Sequence, residues 1–309
     1  MKMAGENNNQ PVRSYQKQFK ELLRAVYQKQ AYFSEFFGGS LQALDGVENN
    51  KTAFSLKTSD IPMVIKKGTL DSEANRAYKT GANVAFGTGT GNSTRFGPRT
   101  EIIYNDTDVN YTWDWVIHEG IDQHTVNTNF DSAVADRLDL QAQEKVQLFD
   151  NQGGAFISDV AGKTFEFATV TNDTILKLFN DLSTYYVNIE AVGQKLAYVR
   201  PEIYNAIVDH PLTTSAKSSA ANIDANGILN FKGFRIKEVP DAKFKTGELA
   251  LTTITGVGRQ FTGINTARTI NSEDFDGVAL QGAGKAGEFI LPANKAAVTK
   301  VVVPETPEG

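Results

Sequence analysis

The chain has 309 residues, of which 40% are hydrophobic and 22% are charged, an ordinary balance for a soluble protein of one large or two modest domains. A net charge of −5 argues against a protein whose main task is to bind the phosphate backbone of nucleic acid. The lack of cysteine excludes disulfide bonds, thiolate nucleophiles and cysteine-ligated zinc. The sequence shows neither a charged-then-apolar leader nor an apolar run of about 18 residues, so we expect neither export nor membrane insertion.

The N-terminal segment combines an apolar stripe with an excess of basic residues. Residues 1–10 are polar, and over residues 14–37 the apolar residues recur at helical spacing. Between Arg13 and Lys29, where the basic residues lie, the only acidic residue is Glu21. Such a face is either solvated or laid against an anionic partner, and both interpretations stay open. The stripe contains Phe19, Leu22, Leu23 and Val26, and the basic residues are Arg13, Lys17, Lys20, Arg24 and Lys29.

Two segments with strand patterns, residues 52–65 and 100–117, flank a long glycine-rich stretch. In the second segment Val109, Tyr111 and Trp113 alternate with polar residues, which is typical of a strand with one buried face. More than thirty residues between the segments lack periodicity, and so long a loop is rare in a compact domain unless it is functional. The pattern predicts a hairpin that projects from the body and lies on a neighbouring subunit, because an isolated two-stranded ribbon is only marginally stable.

The longest amphipathic pattern lies near the middle of the chain. Thr128 or Asn129 can cap the start of a helix, and Gly153 and Gly154 suit the left-handed residue at its end. We therefore predict a helix over residues 128–152, roughly 36 Å long, with a sheet packed along its apolar face. That face consists of Phe130, Val134, Leu138, Ala142, Val146 and Phe149.

After this helix the pattern alternates between helices and strands. The alternation predicts a compact α/β or α+β unit over about residues 165–248. Residues 210–227 are small and polar, and we predict a loop there. The predicted helices cover 171–186 and a segment opened by Pro201, and the predicted strands cover 196–199, 234–239, 248–270 and 288–303.

No motif in the sequence meets the requirements of a catalytic, nucleotide or metal site. Gly87, Gly89 and Gly91 resemble a phosphate-binding loop, but no buried strand precedes them and no helix pattern follows. His118 and His124 are six residues apart, whereas zinc ligation from one helix face needs a spacing of four. We therefore predict no enzyme activity, no cofactor and no metal, with a phosphate-binding enzyme built on the glycine-rich stretch as the alternative.

Four long strings of the sequence carry a family resemblance. They are YFSEFFGGSLQALDGVENNKTAFSLKT, NVAFGTGTGNSTRFGPRTEIIYNDTDVNY, AYVRPEIYNAIVDHPLTTSAKSSAANIDANG and ARTINSEDFDGVALQGAGKAGEFI. They resemble the major capsid proteins of tailed bacteriophages, above all those of siphophages of Gram-positive hosts such as streptococci and lactococci. The resemblance covers nearly everything from about residue 31 to 303, and it implies the HK97-like fold, of the α+β class.

The resemblance also implies a division of the chain that matches the order of the predicted elements. It consists of an N-terminal arm, an extended hairpin called the E-loop, a peripheral P-domain with a long spine helix, and an axial A-domain. The ranges are 1–50 for the arm, 51–112 for the E-loop, 113–164 for the P-domain with the spine helix over 128–152, 165–248 for the A-domain, 249–287 for the return to the P-domain, and 288–309 for the C-terminal strand and tail.

The function that the resemblance implies is structural. Such a subunit self-assembles into hexamers and pentamers of an icosahedral shell, which encloses double-stranded DNA without sequence-specific binding. The implied location is the virion capsid, assembled in the host bacterial cytoplasm, with a portal as a further partner and no membrane. The region before the E-loop is too short for a large internal scaffolding domain, so a separate scaffolding protein is implied. A tail or adhesin subunit is a further alternative, disfavoured by the spine helix and the unit over 165–248.

Candidate contact residues lie on the hairpin, on the returning segment and on the arm. Opposite charges predict a bridge between subunits from Arg95 or Arg99 to an acidic residue, and the returning segment lies near the junctions between capsomers in the family. For the basic arm we rank an acidic scaffold or neighbour above DNA, because about five cations bind phosphate only weakly. The hairpin candidates are Gly87, Gly89, Gly91, Arg95, Arg99 and Glu101, those on the returning segment are Asp274 and Asp276, and those on the arm are Arg13, Lys17, Lys20, Arg24 and Lys29.

Overall fold

The computed structural model describes residues 30–39, 41–43, 51–58, 104–126, 130–214, 221–223 and 229–304. The chain divides into a smaller unit, Val47–Asn110, and a larger one made of Met1–Gly46 and Tyr111–Gly309. The helices are α1 (Gln123–Val126), α2 (Phe130–Asp159), α3 (Asn172–Asn188), α4 (Pro201–Val208) and α5 (Pro211–Thr214). The strands are β1 (Gln42–Ala43), β2 (Thr52–Thr58), β3 (Asn105–Asn110), β4 (Trp113–Asp122), β5 (Lys163–Glu166), β6 (Lys195–Val199), β7 (Ala221–Ile223), β8 (Leu229–Phe231), β9 (Phe234–Glu238), β10 (Glu248–Ile254), β11 (Gly258–Asn271), β12 (Gly277–Ile290) and β13 (Thr299–Val302).

In its described part, the smaller unit is a pair of antiparallel strands, β2 and β3. The Thr52 hydroxyl donates to the Oδ1 atom of Asn110 at 3.2 Å, and Ser55 donates to Asp108 across the same pair. Val109 is buried, while most of its neighbours on β3 are exposed. The pairing confirms that the two predicted segments form a hairpin, whose predicted glycine-rich tip lies outside the described residues.

The single strand predicted over residues 100–117 is in fact two strands, β3 and β4, in different sheets. Between them Thr112 donates its backbone N–H to the carbonyl oxygen of Ala286 at 2.8 Å, and this bond attaches the chain to β12. The alternation itself is correct on both sides of the break, since Val109 and Trp115 are both buried. The alternation of buried and exposed residues can therefore continue along the sequence while the chain passes from one sheet to another.

The larger unit contains a seven-stranded mixed sheet with the order β5-β13-β10-β6-β9-β8-β7. β13 is parallel to β5 and β6 is parallel to β9, and the other neighbouring pairs are antiparallel. All seven residues of β10 are buried. Helices α3 and α4 pack on this sheet and share one apolar core with it. Helices and mixed sheets confirm the predicted α+β class. The core includes Ile175, Phe179, Leu182, Ile203, Ile207, Phe231 and Phe234.

Helix α3 follows the sequence pattern closely. The hydroxyl of Thr171 accepts the backbone N–H of Thr174, and the hydroxyl of Thr174 accepts the backbone N–H of Thr171. This reciprocal cap satisfies two N–H groups that the first helical turn leaves without intrahelical partners. The helix begins at Asn172, one residue after the predicted start. Its apolar residues at helical spacing are all buried: Ile175, Leu178, Phe179 and Leu182.

The other local predictions in this region have mixed outcomes. The strands predicted over 196–199 and 234–239 are β6 and β9, and Pro201 opens α4 as predicted. The loop predicted over 210–227 is wrong at α5 and β7, which are regular elements. β7 owes its conformation to antiparallel pairing with β8, and a partner strand is not visible in the local pattern.

A second sheet of the larger unit has four strands in the order β1-β11-β12-β4. β11 and β12 have 14 residues each and form one long antiparallel hairpin, with a bulge between Ile264 and Thr266. The strand predicted over 288–303 is confirmed at 288–290, the end of β12, and at Thr299–Val302, which is β13, but it is wrong between them. β12 already begins at Gly277, and residues Pro292–Ala297 form a 3-10 helix. β12 carries four glycines and three alanines, which have low strand propensity, so the sequence pattern does not reveal the strand.

Helix α2 is longer than predicted. It covers Phe130–Asp159 and does not end at residue 152, because Gly153 and Gly154 lie inside the helix and are buried. A Cβ atom at Gly153 would lie 2.7 Å from the ring of Phe37, and one at Gly154 would lie 2.6 Å from the ring of Phe33. The two glycines therefore allow the aromatic rings to approach the backbone of α2 closely, and their interpretation as a helix C-cap is wrong.

The predicted apolar face of α2 is also largely wrong as a buried face. Of its six residues only Phe149 is buried, whereas Leu138 is 45% and Val146 is 39% exposed. Ala142, which lies between them, is exposed as well. The sheet does lie along the helix as predicted, but β4 contacts a different side, through Arg137 among other residues.

The aromatic end of the predicted N-terminal helix is not helical. Residues 32–38 form consecutive turns, and Gly38 and Gly39 have positive φ angles. We call residues 30–39 the aromatic turn. Its rings are buried against α2 and the seven-stranded sheet, because a turn can direct rings inward that one helix would spread around its axis. These rings are Phe33, Phe36 and Phe37.

Candidate interaction surfaces

The aromatic turn is fixed to α2 by a buried carboxylate. Asp150, whose side chain is 1% exposed, accepts the backbone N–H of Phe33 at 3.0 Å. The ammonium group of Lys243 lies 2.7 Å from the other oxygen of Asp150, and its side chain is 9% exposed. The pair joins α2, the aromatic turn and the 3-10 helix at Asp241–Lys243. A paired, hydrogen-bonded charge can be accommodated in such a core, whereas an unpaired one is costly.

A second set of contacts joins the aromatic turn to the seven-stranded sheet. Glu35 pairs with Arg235 at 3.3 Å and with Lys237 at 2.5 Å, and both cations lie on β9. The ring of Phe33 meets Tyr198 edge-on, with centroids 4.9 Å apart, and burial raises the pKa of the Tyr198 hydroxyl. The turn is therefore held on two sides, by α2 and by the seven-stranded sheet.

A cleft of about 470 Å³ lies between β4 and α2. On one wall Arg137 donates to Glu119 through two nitrogens, and Gln141 donates to the same carboxylate at 2.5 Å. The hydrogen bond from Arg137 holds the pKa of Glu119 below its ordinary value, although desolvation opposes it. On the other wall Lys145 lies 3.8 Å from the ring centroid of Trp115, and burial lowers the pKa of this lysine. The cleft's charged groups are thus engaged with one another and with the ring.

A groove of about 400 Å³ lies between the aromatic turn and the C-terminal half of α2. Its lining is mainly apolar, and it opens onto the exposed side of α2 that carries Leu138. Gln260 crosses its base, donating to the carbonyl oxygen of Phe149 at 2.8 Å and to Glu288 at 3.1 Å. Burial raises the pKa of Glu288, an effect that hydrogen bonds from Gln260 and Trp113 oppose.

The tip of the β11–β12 hairpin carries the two acidic residues predicted as contacts. Asp274 and Asp276 are exposed on either side of Phe275, whose ring covers Gly120. His124 lies 3.4 Å from Asp276 on the surface. The tip therefore presents carboxylates at the end of a long strand pair, a geometry suited to an intermolecular contact.

The remaining predicted contact residues lie outside the described residues, so their predictions stay untested. They are Gly87, Gly89, Gly91, Arg95, Arg99 and Glu101 on the hairpin, and Arg13, Lys17, Lys20, Arg24 and Lys29 on the arm.

Sequence reasoning missed the buried pair of Asp150 with Lys243 and the pair of Glu119 with Arg137. In both pairs the partners come from elements far apart in the chain, so no local spacing signals them. A charged residue beside the predicted apolar stripe, as Asp150 is, was the only available signal.

The described residues contain no group of three or more His, Cys, Asp or Glu side chains that could hold a metal ion. His118 lies on β4 and contacts Gln281, His124 lies on α1, and His210 is buried against the carbonyl oxygen of Asn172. In the described part of the chain, no helix has the length and hydropathy needed to cross a membrane.

Neither a protein-family model nor a curated protein sequence matches the chain. Solved structures do match. The capsid structure of cyanophage P-SCSP1u has a TM-score of 0.64 and 10% identity, and covers 94% of each chain. A structure from mycobacterium phage Che8 has a TM-score of 0.62 and 12% identity, covering 92% of this chain and 95% of that one. The mature capsid of bacteriophage PhiM1 has a TM-score of 0.61 and 11% identity, covering 94% of this chain and 92% of that one.

The chain has the HK97-like capsid fold. In the terms of that fold, α2 is the spine helix. The domain ranges given above stay predictions. The structure adds that one sheet combines strands from several predicted ranges, because β6 and β9 of the A-domain range share it with β10, which lies mostly in the return to the P-domain, and with β13 of the C-terminal range.

Proposed function

We propose that this chain is the major capsid protein of a tailed bacteriophage, a structural subunit that is not an enzyme. The observation that carries the proposal is the match to phage capsid chains over more than nine tenths of both chains. Similarity at about 10% identity rests on shape alone, so the function is an inference from the fold together with the resemblance of the four sequence strings.

In this proposal the subunits form hexamers and pentamers of an icosahedral shell around double-stranded DNA. The net charge of −5 suits a container that must not bind its genome tightly. The shell assembles in the cytoplasm of a Gram-positive host, with a separate scaffolding protein and a portal, and becomes the capsid of the virion. The sequence strings support the siphophage assignment.

The contacts between subunits belong to the same proposal. The glycine-rich hairpin tip with Gly87, Gly89 and Gly91 is an assembly element, and Arg95 or Arg99 beside it pairs with Asp274 or Asp276 of an adjacent subunit. Exposure of both carboxylates supports this pairing. An exposed pair contributes about 0.2–1 kcal/mol, but a shell repeats it many times, so register can depend on it.

Electron microscopy of the purified chain tests the proposed function. We expect shells, or rings of five and six subunits when the chain is expressed alone, with more regular shells when the neighbouring phage genes are co-expressed. Mass photometry should then show species of five and six chain masses. A chain that stays monomeric under all these conditions, or that forms only tail-like tubes, would contradict the proposal.

A further inference from the structure

The N-terminal half of α2 carries an apolar face that the described residues leave exposed. Ala135, Leu138, Ala142 and Val146 follow one another at intervals of three and four, so they lie on one side of the helix. Leu138 and Val146 are 45% and 39% exposed, and the two alanines are exposed as well. Helical spacing of apolar residues is typical of a face that packs against another element.

The same side of α2 is already covered at its C-terminal end. There Phe37 of the aromatic turn lies against Gly153, and Phe149 is buried. The groove between the turn and the helix connects the covered part to the exposed part, since its lining includes both Ala31 and Val146. The exposed face therefore continues an intramolecular contact that the aromatic turn begins.

Acidic residues accompany the exposed face. Asp131 lies on the same side of α2, and Asp139 lies beside it; both are exposed. Asp139 accepts a hydrogen bond from the side chain of Gln143 at 3.2 Å. Lys145, the nearest cation on the helix, also lines the groove, but its ammonium group lies 3.8 Å from the ring centroid of Trp115 in the cleft beside β4. An apolar face flanked by carboxylates fits a segment that is apolar and basic.

We propose that residues 14–29 of the same chain bind along this face of α2. They carry the stripe of Phe19, Leu22, Leu23 and Val26 together with four of the five basic arm residues. The described chain begins at Gln30, next to Ala31 at the groove, so no linker is needed. Sixteen residues make a helix of about 24 Å, and the face from Asp131 to Val146 is about 22 Å long.

The contact lies within one subunit, so it holds whether or not the chain builds a shell. Val146 and Leu148 allow a matched test, because both are 39% exposed but point to different sides of α2. V146D places a carboxylate in the proposed contact, and L148D places one in the cleft beside β4. In dilute solution, trypsin cleavage after Lys20 and Arg24 should be about tenfold faster in V146D and unchanged in L148D, because cleavage follows the open population. Equal rates in V146D and the wild type, or equal acceleration in both variants, would overturn the proposal.

The lack of cysteine permits a second test that does not depend on destabilising the contact. In the L22C/L138C variant, mild oxidation should form a disulfide within the monomer, seen by mass spectrometry and by a non-reducing gel. The L22C/L148C variant, with its second thiol on the other side of the helix, should remain reduced. Disulfide-linked dimers in place of monomers would assign the face to a second copy and overturn the proposal. Equal cross-linking of both variants, or none in either, would also overturn it.

Discussion

Asp150 is the residue on which three segments of the larger unit converge. It receives a backbone N–H from the aromatic turn and an ammonium group from Lys243, and both charged side chains are almost fully buried. Such a pair contributes specificity more than net stability, because desolvation offsets much of the attraction. Removal of one partner is strongly destabilising, because the remaining charge stays buried without a counter-charge.

K243M should therefore destabilise the chain by about 3–5 kcal/mol. The double variant K243M/D150N removes both charges and should recover a large part of that loss. Urea unfolding followed by circular dichroism measures both effects. A loss below about 1 kcal/mol in K243M would show that water reaches Asp150, and the assignment of a buried pair would then be wrong.

Glu288 should make the free energy of unfolding fall as pH rises, whereas an ordinary carboxylate in an ion pair makes it rise. Burial raises its pKa above the ordinary 4.5, so the folded chain binds the proton more tightly than the unfolded chain does. The wild type should lose stability relative to E288Q as pH rises from about 4.5 through the raised pKa, and should stay at that lower level above it. Unfolding free energies of both proteins between pH 4 and 8 measure the difference. E166Q, at an exposed position of β5, controls for the loss of one negative charge; a difference that rises with pH would contradict the prediction.

At the scale of elements, the parts that were predictable are those stabilised by their own sequence. α3, α4, β6 and β9 follow from local apolar patterns, and Pro201 marks the start of α4. The end of α2 was not predictable, because the rings that require Gly153 and Gly154 come from a distant turn. β12 was missed because glycine and alanine fill a strand that is held by two neighbouring strands.

For the candidate contacts, the sequence pointed to Asp274 and Asp276 on the returning segment, and both are exposed at the hairpin tip. Their contact with another subunit stays a prediction. The exposed face of α2 was visible as a pattern, but the pattern could not show that the sheet packs on another side of the helix. Amphipathic spacing tells which residues share a side and leaves open what covers that side.

The contact of α2 with the aromatic turn gives a prediction for G154A. Alanine usually favours a helix by about 1 kcal/mol over glycine. Here the new Cβ would lie 2.6 Å from the buried ring of Phe33 and 3.3 Å from a backbone oxygen, so overpacking costing about 1–3 kcal/mol should prevail. We expect a lower melting temperature, measured by calorimetry, and partial rescue in G154A/F33L. A G154A variant more stable than the wild type would show that the turn moves away freely.

At the scale of the whole molecule, assembly should respond to charge at the β11–β12 tip. D274K/D276K reverses two exposed carboxylates, so the unfolding free energy should change by no more than about 0.5 kcal/mol. Shell yield should fall, and the dependence of assembly on salt concentration should change, as measured by light scattering and electron microscopy. D209K/E238K carries the same charge change at exposed positions elsewhere and should assemble normally. Partial recovery in R99D/D276K relative to D276K would support the proposed bridge, and normal assembly of D274K/D276K would contradict it.

The position of β13 in the seven-stranded sheet has a consequence for synthesis on the ribosome. β13 is made after every other strand of that sheet, yet it lies between β5 and β10 and is the neighbour through which β5 joins the sheet. A nascent chain therefore holds β5 without a partner until residues through Val302 have emerged, and the buried side chains of Val298 and Val301 arrive with them. Contacts so distant in sequence form late. Chains that end before this strand lack the element that completes the sheet. We therefore expect only fully translated chains to fold and to join neighbouring subunits.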